Sequence, residues 1–166
     1  PRGRALGVTQ MFPNEDQLGA TTDQLNTKLV VFMGGRAAEE LVFNEITTGA
    51  QNDIQQATKI ARAMVTNYGM SKAIGPINLS GDGEVFVGRD YSKKSSTSEH
   101  LSQLVDSEVK KLLEEAYQQA KDILQSNRGI LNDIAEKLLE KETIDRHEFE
   151  QLAHEVLWAS TPMVFA

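Results

Sequence analysis

The sequence predicts a mainly α fold, with a short β element near its start and a bundle of helices in its C-terminal third. Apolar residues recur at helical spacing from Leu101 to Leu124, and the pattern stops at Asn127-Arg128-Gly129. The chain has 166 residues, of which 40% are hydrophobic. That length and composition suit one domain with a single core.

The first predicted elements are a strand and a helix. Residues 5–12 mix β-forming residues with partial alternation and are followed by Pro13-Asn14, which is typical of a short strand and a turn. A helix is predicted over residues 23–43, with Thr22 as its N-cap. Its Gly34-Gly35 pair costs about 1 kcal/mol per glycine, so we expect a neighbouring backbone to pack closely there.

The middle of the chain is predicted to hold a second helix and a β excursion. Thr48 and Gln51 have the spacing of a capping box, and the helix that they begin is predicted to stop at Gly69. Residues 75–88 resemble a hairpin or a loose β loop. The serine-rich segment 91–98 is expected to be an exposed loop.

The C-terminal third is predicted to be helical throughout. After the long helix that ends near Asn127, a further helix is expected over residues 130–141. Asp145 and Glu148 then have the spacing of a helix cap for a last helix carrying Phe149. The role of residues 158–166 is not indicated by their sequence.

The composition narrows the possible functions. The absence of cysteine excludes disulfides, thiolate zinc sites and thiol nucleophiles, so a metal would need His, Asp, Glu or water as ligands. The net charge of −7 and the lack of a basic cluster argue against a nucleic-acid partner. No apolar run approaches the roughly 20 residues that span a bilayer, so we expect the chain as given to be soluble. It lacks an initiator Met, and we expect it to be a piece of a longer protein.

Asp53 is the most informative single residue. Steps of three and four from Asp53 reach Ala50, Ala57, Ile60 and Met64, so this carboxylate lies on a largely apolar stripe of its helix. One interpretation is a favourable interaction with the helix dipole, typically worth about 0.3–1 kcal/mol. The other is that the carboxylate binds a metal, since an unpaired charge is costly to bury.

Several strings of the sequence resemble one known family. The similarity is to the peptidase region of the FtsH family of membrane-anchored, ATP-dependent zinc metalloproteases, and it extends to about residue 157. The matching strings are Pro1–Thr9, Gly34–Glu40, Thr48–Asp53, Tyr68–Ser71, Gly75-Pro76, Phe86–Arg89 and Leu139–Asp145.

The resemblance implies a role for Asp53. In that family a His-Glu-x-x-His helix supplies two zinc ligands and the general-base Glu, and an Asp in the string matched by Thr48–Asp53 supplies the third ligand. The implied cofactor is zinc, and Asp53 is its implied ligand in this chain. None of the three histidines, His100, His147 and His154, begins a His-Glu-x-x-His string. We therefore expect no catalytic residue in this chain and no peptide hydrolysis by the chain alone.

The resemblance also implies an organisation for the parent protein. Residues 1–157 are expected to form a peptidase domain without its N-terminal zinc-binding helix, with an active-site part at 1–75, a loop excursion at 76–98 and a helical bundle at 99–157. ATP and Mg would be bound by a module absent from this chain, because no phosphate-binding loop motif occurs in it.

The implied partners are protein substrates, both membrane and soluble. The parent is expected to be a homo-oligomer, by resemblance a hexamer, and to be membrane-anchored through segments absent here, with this domain on the cytoplasmic or organelle-interior side. The predicted strand could pair with an extended substrate peptide. The alternative is a non-catalytic relative that acts as an assembly module, and a third is an unrelated helical scaffold. A His-Glu-x-x-His string encoded just upstream of Pro1 would favour the protease.

Other charged residues have simpler interpretations. Glu39 and Glu40 are expected to form a salt bridge to Arg36. Gly34-Gly35 lacks the context of a nucleotide-binding loop and is assigned to helix packing. The three histidines are expected at the surface. The charged residues of the long helix are expected to form a solvated face, or alternatively a subunit contact in a ring; they are Glu108, Lys110, Lys111, Glu114, Glu115, Lys121 and Asp122.

Overall fold

The fold consists of five α-helices and one short 3-10 turn in the part of the chain that the structure describes. The structure is a computed structural model that describes residues 19–79 and 99–159, with side chains to residue 153. The elements in chain order are α1 (Thr22–Phe43), the 3-10 turn (Thr48–Ala50), α2 (Gln51–Thr66), α3 (Glu99–Ser126), α4 (Arg128–Lys141) and α5 (Arg146–Ala159). The predicted mainly α fold is confirmed.

The predicted β elements are not seen in the described residues. The strand at residues 5–12 and the loop at 91–98 lie outside them, as does most of the hairpin at 75–88. The described start of that hairpin, residues 75–79, forms no strand.

Helix α1 begins one residue earlier than predicted. Its N-cap is Thr21, not Thr22, and Gln24 completes a capping box with it. The Thr21 hydroxyl oxygen accepts from the Gln24 amide at 3.2 Å, and the Gln24 side chain accepts from the Thr21 amide at 2.9 Å. Both groups satisfy amides that a helix start would otherwise leave without partners.

The core lies between α1, α2 and α3. Each helix buries one apolar stripe, and Leu29, Met64 and Val65 are the largest fully buried side chains. The other buried members of this cluster are Leu25, Met33, Ala37, Ala57, Ala61, Val105, Val109, Ala116 and Ala120. This three-helix unit positions the candidate site at the start of α2.

Among the described residues, no neighbouring backbone packs against the Gly34-Gly35 pair. A Cβ atom added at either glycine would meet no atom within 4 Å. The expectation of a close backbone contact is therefore wrong for the described residues. Gly35 is exposed, whereas Gly34 is partly buried at the edge of the core stripe.

The ends of α2 also differ from the prediction. Thr48 and Gln51 form no capping box; Ala50 is the N-cap of α2 and makes no side-chain cap hydrogen bond. The helix ends at Thr66 rather than at Gly69. Gly69 instead adopts φ +62°, and a Cβ there would lie 2.7 Å from the Cα of Pro76, so the turn requires glycine.

Helices α3, α4 and α5 occupy the predicted C-terminal ranges within a few residues. The predicted cap of α5 is confirmed, because the Glu148 amide donates to the Asp145 carboxylate at 2.9 Å. Helix α4 contributes no buried residue. Residues 160–166 lie outside the described part of the chain.

None of the helices described here combines the length and the apolar character that crossing a membrane requires.

Candidate metal centre

Asp53 lies in the first turn of α2 and is half-buried. The residues on its stripe are apolar: Ala50 is 6% exposed, Ala57 0% and Met64 1%. The predicted apolar stripe is therefore confirmed. The site is a helix N-terminus, where the backbone dipole favours a negative charge.

The turn before α2 is held to α1 by Glu39. The Thr47 hydroxyl donates to the Glu39 carboxylate at 3.0 Å, and the Thr47 amide donates to the same group at 3.4 Å. The Thr47 hydroxyl oxygen in turn accepts from the Gly49 amide at 3.1 Å. One side chain of α1 thus fixes the segment that leads directly into the Asp53 turn.

Because Gly49 has no side chain, the Thr47 hydroxyl and the Glu39 carboxylate can lie close to its backbone. A Cβ at Gly49 would lie 3.2 Å from the Thr47 hydroxyl oxygen and 3.3 Å from a Glu39 carboxylate oxygen. These distances are shorter than an ordinary van der Waals contact, so a larger residue would push the carboxylate away. The expected salt bridge from Glu39 to Arg36 is not formed; Glu39 accepts hydrogen bonds from Thr47 instead.

The carboxylate of Asp53 makes no hydrogen bond or ion pair with the residues that the structure describes. No three His, Asp or Glu side chains within ranges 19–79 and 99–153 are grouped so that they could hold a metal. Protein zinc sites use three or four protein ligands. Asp53 therefore fits the part of one carboxylate ligand, and the described residues alone do not complete a zinc site.

The histidines do not approach this site as a ligand set. His100 is exposed at the start of α3, and His147 is exposed on α5, where its ring lies 3.2 Å from the Gln151 side-chain nitrogen. The expectation of surface positions is confirmed for these two. The His154 side chain lies outside the described part.

A second polar cluster, which the sequence did not predict, joins α1 to α3. The Tyr117 hydroxyl donates to one oxygen of Glu40, and Lys121 donates to the other at 3.0 Å. These two hydrogen bonds hold the pKa of Glu40 below its usual value. Burial, with the bond to Glu40, raises the pKa of Tyr117.

The partner of Glu40 corrects a second expectation. Arg36 does not form an ion pair with Glu40 among the described side chains; its guanidinium lies over the Tyr117 ring, 5.7 Å from the centroid. Lys121 lies 5.6 Å from the same centroid. The sequence signal that could have identified this cluster is Tyr117, which places a hydroxyl group next to the apolar face of α3.

The charged face of α3 is only partly solvated. The pairs Lys110–Glu114 and Lys111–Glu115 are exposed, as expected for a solvated face. Glu108 departs from this expectation, because it accepts a 2.6 Å hydrogen bond from Ser71, which is 7% exposed. Glu108 is therefore bound to the segment that follows α2 and is not simply part of a solvated face.

Comparison with known proteins identifies the family. Residues 1–152 match the model of peptidase family M41. The chain is 47% identical over 156 residues to the ATP-dependent zinc metalloprotease FtsH of Rubrobacter xylanophilus, covering 93% of this chain and 24% of that protein. It is 47% identical over 154 residues to FtsH 4 of Sorangium cellulosum, with 92% and 24% covered.

A third relative gives the same result. The chain is 44% identical over 154 residues to the ATP-dependent zinc metalloprotease FtsH of Bacillus subtilis, covering 92% of this chain and 24% of that protein. The chain thus spans about a quarter of the length of these relatives. Because the family model covers most of the sequence, the chain belongs to peptidase family M41.

Proposed function

We propose that this chain is the C-terminal part of the peptidase domain of an ATP-dependent zinc metalloendopeptidase, and that Asp53 is one of the zinc ligands. The observation that carries the proposal is the state of Asp53: a half-buried carboxylate on an apolar stripe, without a protein partner among the described residues. A carboxylate in such a position is stabilised when it binds a cation.

In this proposal the described residues hold and orient the ligand. The start of α2 presents Asp53, and the hydrogen bonds between Glu39 and Thr47 fix the turn before it. Bound zinc would lower the pKa of a water molecule to about 7 and polarise a peptide carbonyl. The imidazole ligands and the general base come from outside this chain, as the family resemblance implies.

The wider proposal concerns the parent protein. The relatives are named ATP-dependent zinc metalloproteases, which supports protein substrates, zinc, and an ATP- and Mg-binding module elsewhere in the polypeptide. We propose a membrane-anchored hexamer with residues 1–157 in its peptidase domain, on the cytoplasmic or organelle-interior side. Membrane and soluble proteins are its proposed substrates.

The test uses the full-length parent protein with Asp53→Asn. We expect loss of stoichiometric zinc and at least about a 100-fold lower rate of zinc-dependent cleavage of an unfolded protein, because a metal ligand is removed. ATP hydrolysis should continue, which reports an intact assembly. Retention of both zinc and cleavage would contradict the proposal.

Asp23→Asn is the matched control. Asp23 is also an acidic residue in the first turn of a helix, but it is exposed and lies at the start of α1. We expect this variant to keep zinc content and cleavage rate unchanged. Equal losses in both variants would indicate a general effect of removing a charge from a helix terminus.

The alternative function is a non-catalytic assembly module. It is favoured by one observation, that the described residues near Asp53 do not complete a metal-binding set. The chain by itself should then show no zinc-dependent cleavage, and the parent should show none either. The protease proposal also predicts no cleavage by the isolated chain, but it predicts zinc-dependent cleavage by the parent.

A further inference from the structure

Two neighbouring side chains hold the end of α1 to two different elements. Glu39 accepts a hydrogen bond from the Thr47 hydroxyl at 3.0 Å, in the turn before α2. Glu40, the next residue, accepts from Tyr117 and Lys121 of α3, from the lysine at 3.0 Å. Successive residues of a helix point in different directions, so this one turn of α1 connects α3 to the turn before α2.

Burial alone fixes this end of α1 only weakly. The structure describes α1 in full, and Ala37 is the only fully buried residue in its last two turns. One methyl group removes little apolar area from water compared with a leucine side chain. The same two turns make polar contacts instead, through Glu40 with α3 and through a 2.9 Å hydrogen bond from Arg128 to the Leu41 carbonyl.

The contact between Glu40 and α3 uses both carboxylate oxygens. The bonds from Tyr117 and Lys121 lower the pKa of Glu40, so its carboxylate is charged at neutral pH. Hydrogen bonds to a charged group are roughly twice as strong as those between neutral groups. Arg36 and Lys121 lie 5.7 Å and 5.6 Å from the centroid of the Tyr117 ring, which helps to fix the orientation of the ring.

A short continuous segment leads from this end of α1 to Asp53. The Thr47 hydroxyl that is bound to Glu39 also accepts from the Gly49 amide at 3.1 Å. The 3-10 turn that follows passes directly into α2, and Asp53 lies in the first turn of that helix. A displacement of Glu39 would therefore move the start of α2 or break the bond to Thr47.

We propose that Tyr117 is a positioning residue for the metal ligand Asp53, and that it acts through Glu40 and the end of α1. In this arrangement α3 fixes the last two turns of α1, and Glu39 holds the turn before α2 to them. Tyr117 supplies no ligand, because its hydroxyl donates to Glu40. The inference rests on the proposed function, since it requires that Asp53 binds zinc.

The first test measures the zinc affinity of the full-length parent protein with Tyr117→Phe, by competition with a chelator of known affinity. The change removes the hydroxyl and keeps the ring. We expect about tenfold weaker zinc binding, the lower end of what outer-shell partners of metal ligands contribute. With cobalt in place of zinc, the visible absorption spectrum should shift, because it reports the arrangement of the ligands. A zinc affinity equal to that of the wild type would overturn the proposal.

Ser71→Ala is the matched control. The Ser71 hydroxyl also donates to a glutamate of α3, Glu108 at 2.6 Å, and Ser71 is 7% exposed. It lies beyond the far end of α2, a helix of 16 residues and about 24 Å from Asp53 to that end or slightly less. Both variants lose one bond between a hydroxyl and a carboxylate, but only Tyr117→Phe should weaken zinc binding. Equal weakening in both would overturn the proposal.

A double variant tests the route through Glu40. Glu40→Ala removes the acceptor of the Tyr117 hydroxyl, so adding Tyr117→Phe to it should weaken zinc binding no further. Additive losses would contradict a route through Glu40. In the zinc-free parent, the amides of residues 47–53 should exchange hydrogen faster in Tyr117→Phe than in Ser71→Ala. Equal exchange of this segment in the two variants would also contradict the route.

Asp53→Asn separates failure of this inference from failure of the zinc proposal. Retention of stoichiometric zinc by Asp53→Asn would overturn the zinc proposal, and the positioning role with it. Loss of zinc from Asp53→Asn, together with wild-type zinc affinity in Tyr117→Phe, would overturn the positioning role alone.

Discussion

The α1–α3 unit and the α4–α5 pair are both helical, but they are stabilised differently. Within the described residues, every buried apolar side chain belongs to α1–α3 or to the turn before α2. The α4–α5 pair is joined instead by an ion pair between Lys141 and Glu148 and by the Asp145 cap. Arg128 also ties the start of α4 to the Leu41 carbonyl at 2.9 Å. Burial stabilises the first region, and local polar contacts stabilise the second.

This difference has a consequence for local stability. Regions with few buried apolar contacts open locally at a lower free energy than the core. We therefore expect α4 and α5 to exchange their amide hydrogens before α1–α3 do.

The largest effect is expected from Leu29→Ala. Leu29 is 1% exposed in the α1–α3 core, and its truncation leaves a cavity that costs about 2–5 kcal/mol. The control is Val31→Ala on the opposite face of α1, where Val31 is 44% exposed and the expected cost is about 0.5 kcal/mol or less. Urea unfolding followed by circular dichroism measures both. Similar unfolding free energies for the two variants would mean that Leu29 is not part of the core.

A smaller loss is expected from Gly69→Ala. The residue adopts φ +62°, and the added Cβ would lie 2.7 Å from the Pro76 Cα, so we expect a cost of about 2–3 kcal/mol. Gly75 has φ +84° with open space around it, so Gly75→Ala should cost only about 1 kcal/mol. The same unfolding measurement compares them. Equal losses of unfolding free energy in the two variants would show that the contact between the added Cβ and Pro76 does not destabilise the fold.

Removal of the α5 cap should act locally. Asp145→Ala leaves the Glu148 amide without its acceptor, at a cost of about 1 kcal/mol. Hydrogen exchange should become faster in α5 and remain unchanged in α1–α3. Asp133→Ala, an exposed site inside α4, is the control. Faster exchange in the core would contradict the separation of the two regions.

Lowering the pH should reduce the stability of both regions, because each contains one carboxylate whose pKa is lowered in the folded state. The pKa of Glu40 is lowered by hydrogen bonds from Tyr117 and Lys121, and that of Glu148 by its bond with Lys141. A lowered folded-state pKa stabilises the fold above the ordinary value of 4.5, and this contribution is lost as the pH falls through the folded-state pKa. Titration from neutral pH to below 4.5 should therefore reduce stability.

Glutamine variants identify which carboxylate causes the loss of stability in each region at low pH. Glu40→Gln should flatten the acid response of global unfolding, and Glu148→Gln should flatten only the exchange response of α5. An acid response of α1–α3 that is the same with and without Glu40 would exclude this carboxylate as its source.

The helices were predictable from the sequence, because their apolar periods are long and regular. The residues at which α1 and α2 start were harder to predict, because two adjacent threonines lie near each start. They are Thr21 and Thr22 near α1, and Thr47 and Thr48 near α2. Thr21 caps α1, whereas Thr47 caps the 3-10 turn that precedes α2. Propensity does not distinguish the two members of such a pair.

The partners of Glu39 and Glu40 could not be predicted from local spacing. Helical spacing favours Arg36 for both, yet Glu39 binds Thr47 and Glu40 binds Tyr117 and Lys121. The partners of Glu40 lie on a different helix, and tertiary packing decides them. The placement of Asp53 on an apolar stripe was predictable, and its role as a ligand stays a prediction.

The two adjacent glycines of α1 have a mechanical consequence. Glycine pairs are among the places where helices bend sharply, and no side chain stiffens α1 at Gly34-Gly35. The first half of the helix is anchored in the core by Leu29, while the second half carries Glu39 and its hold on the turn before Asp53. A bend at the glycines would therefore move that turn relative to Leu29, and Asp53 follows directly after the turn.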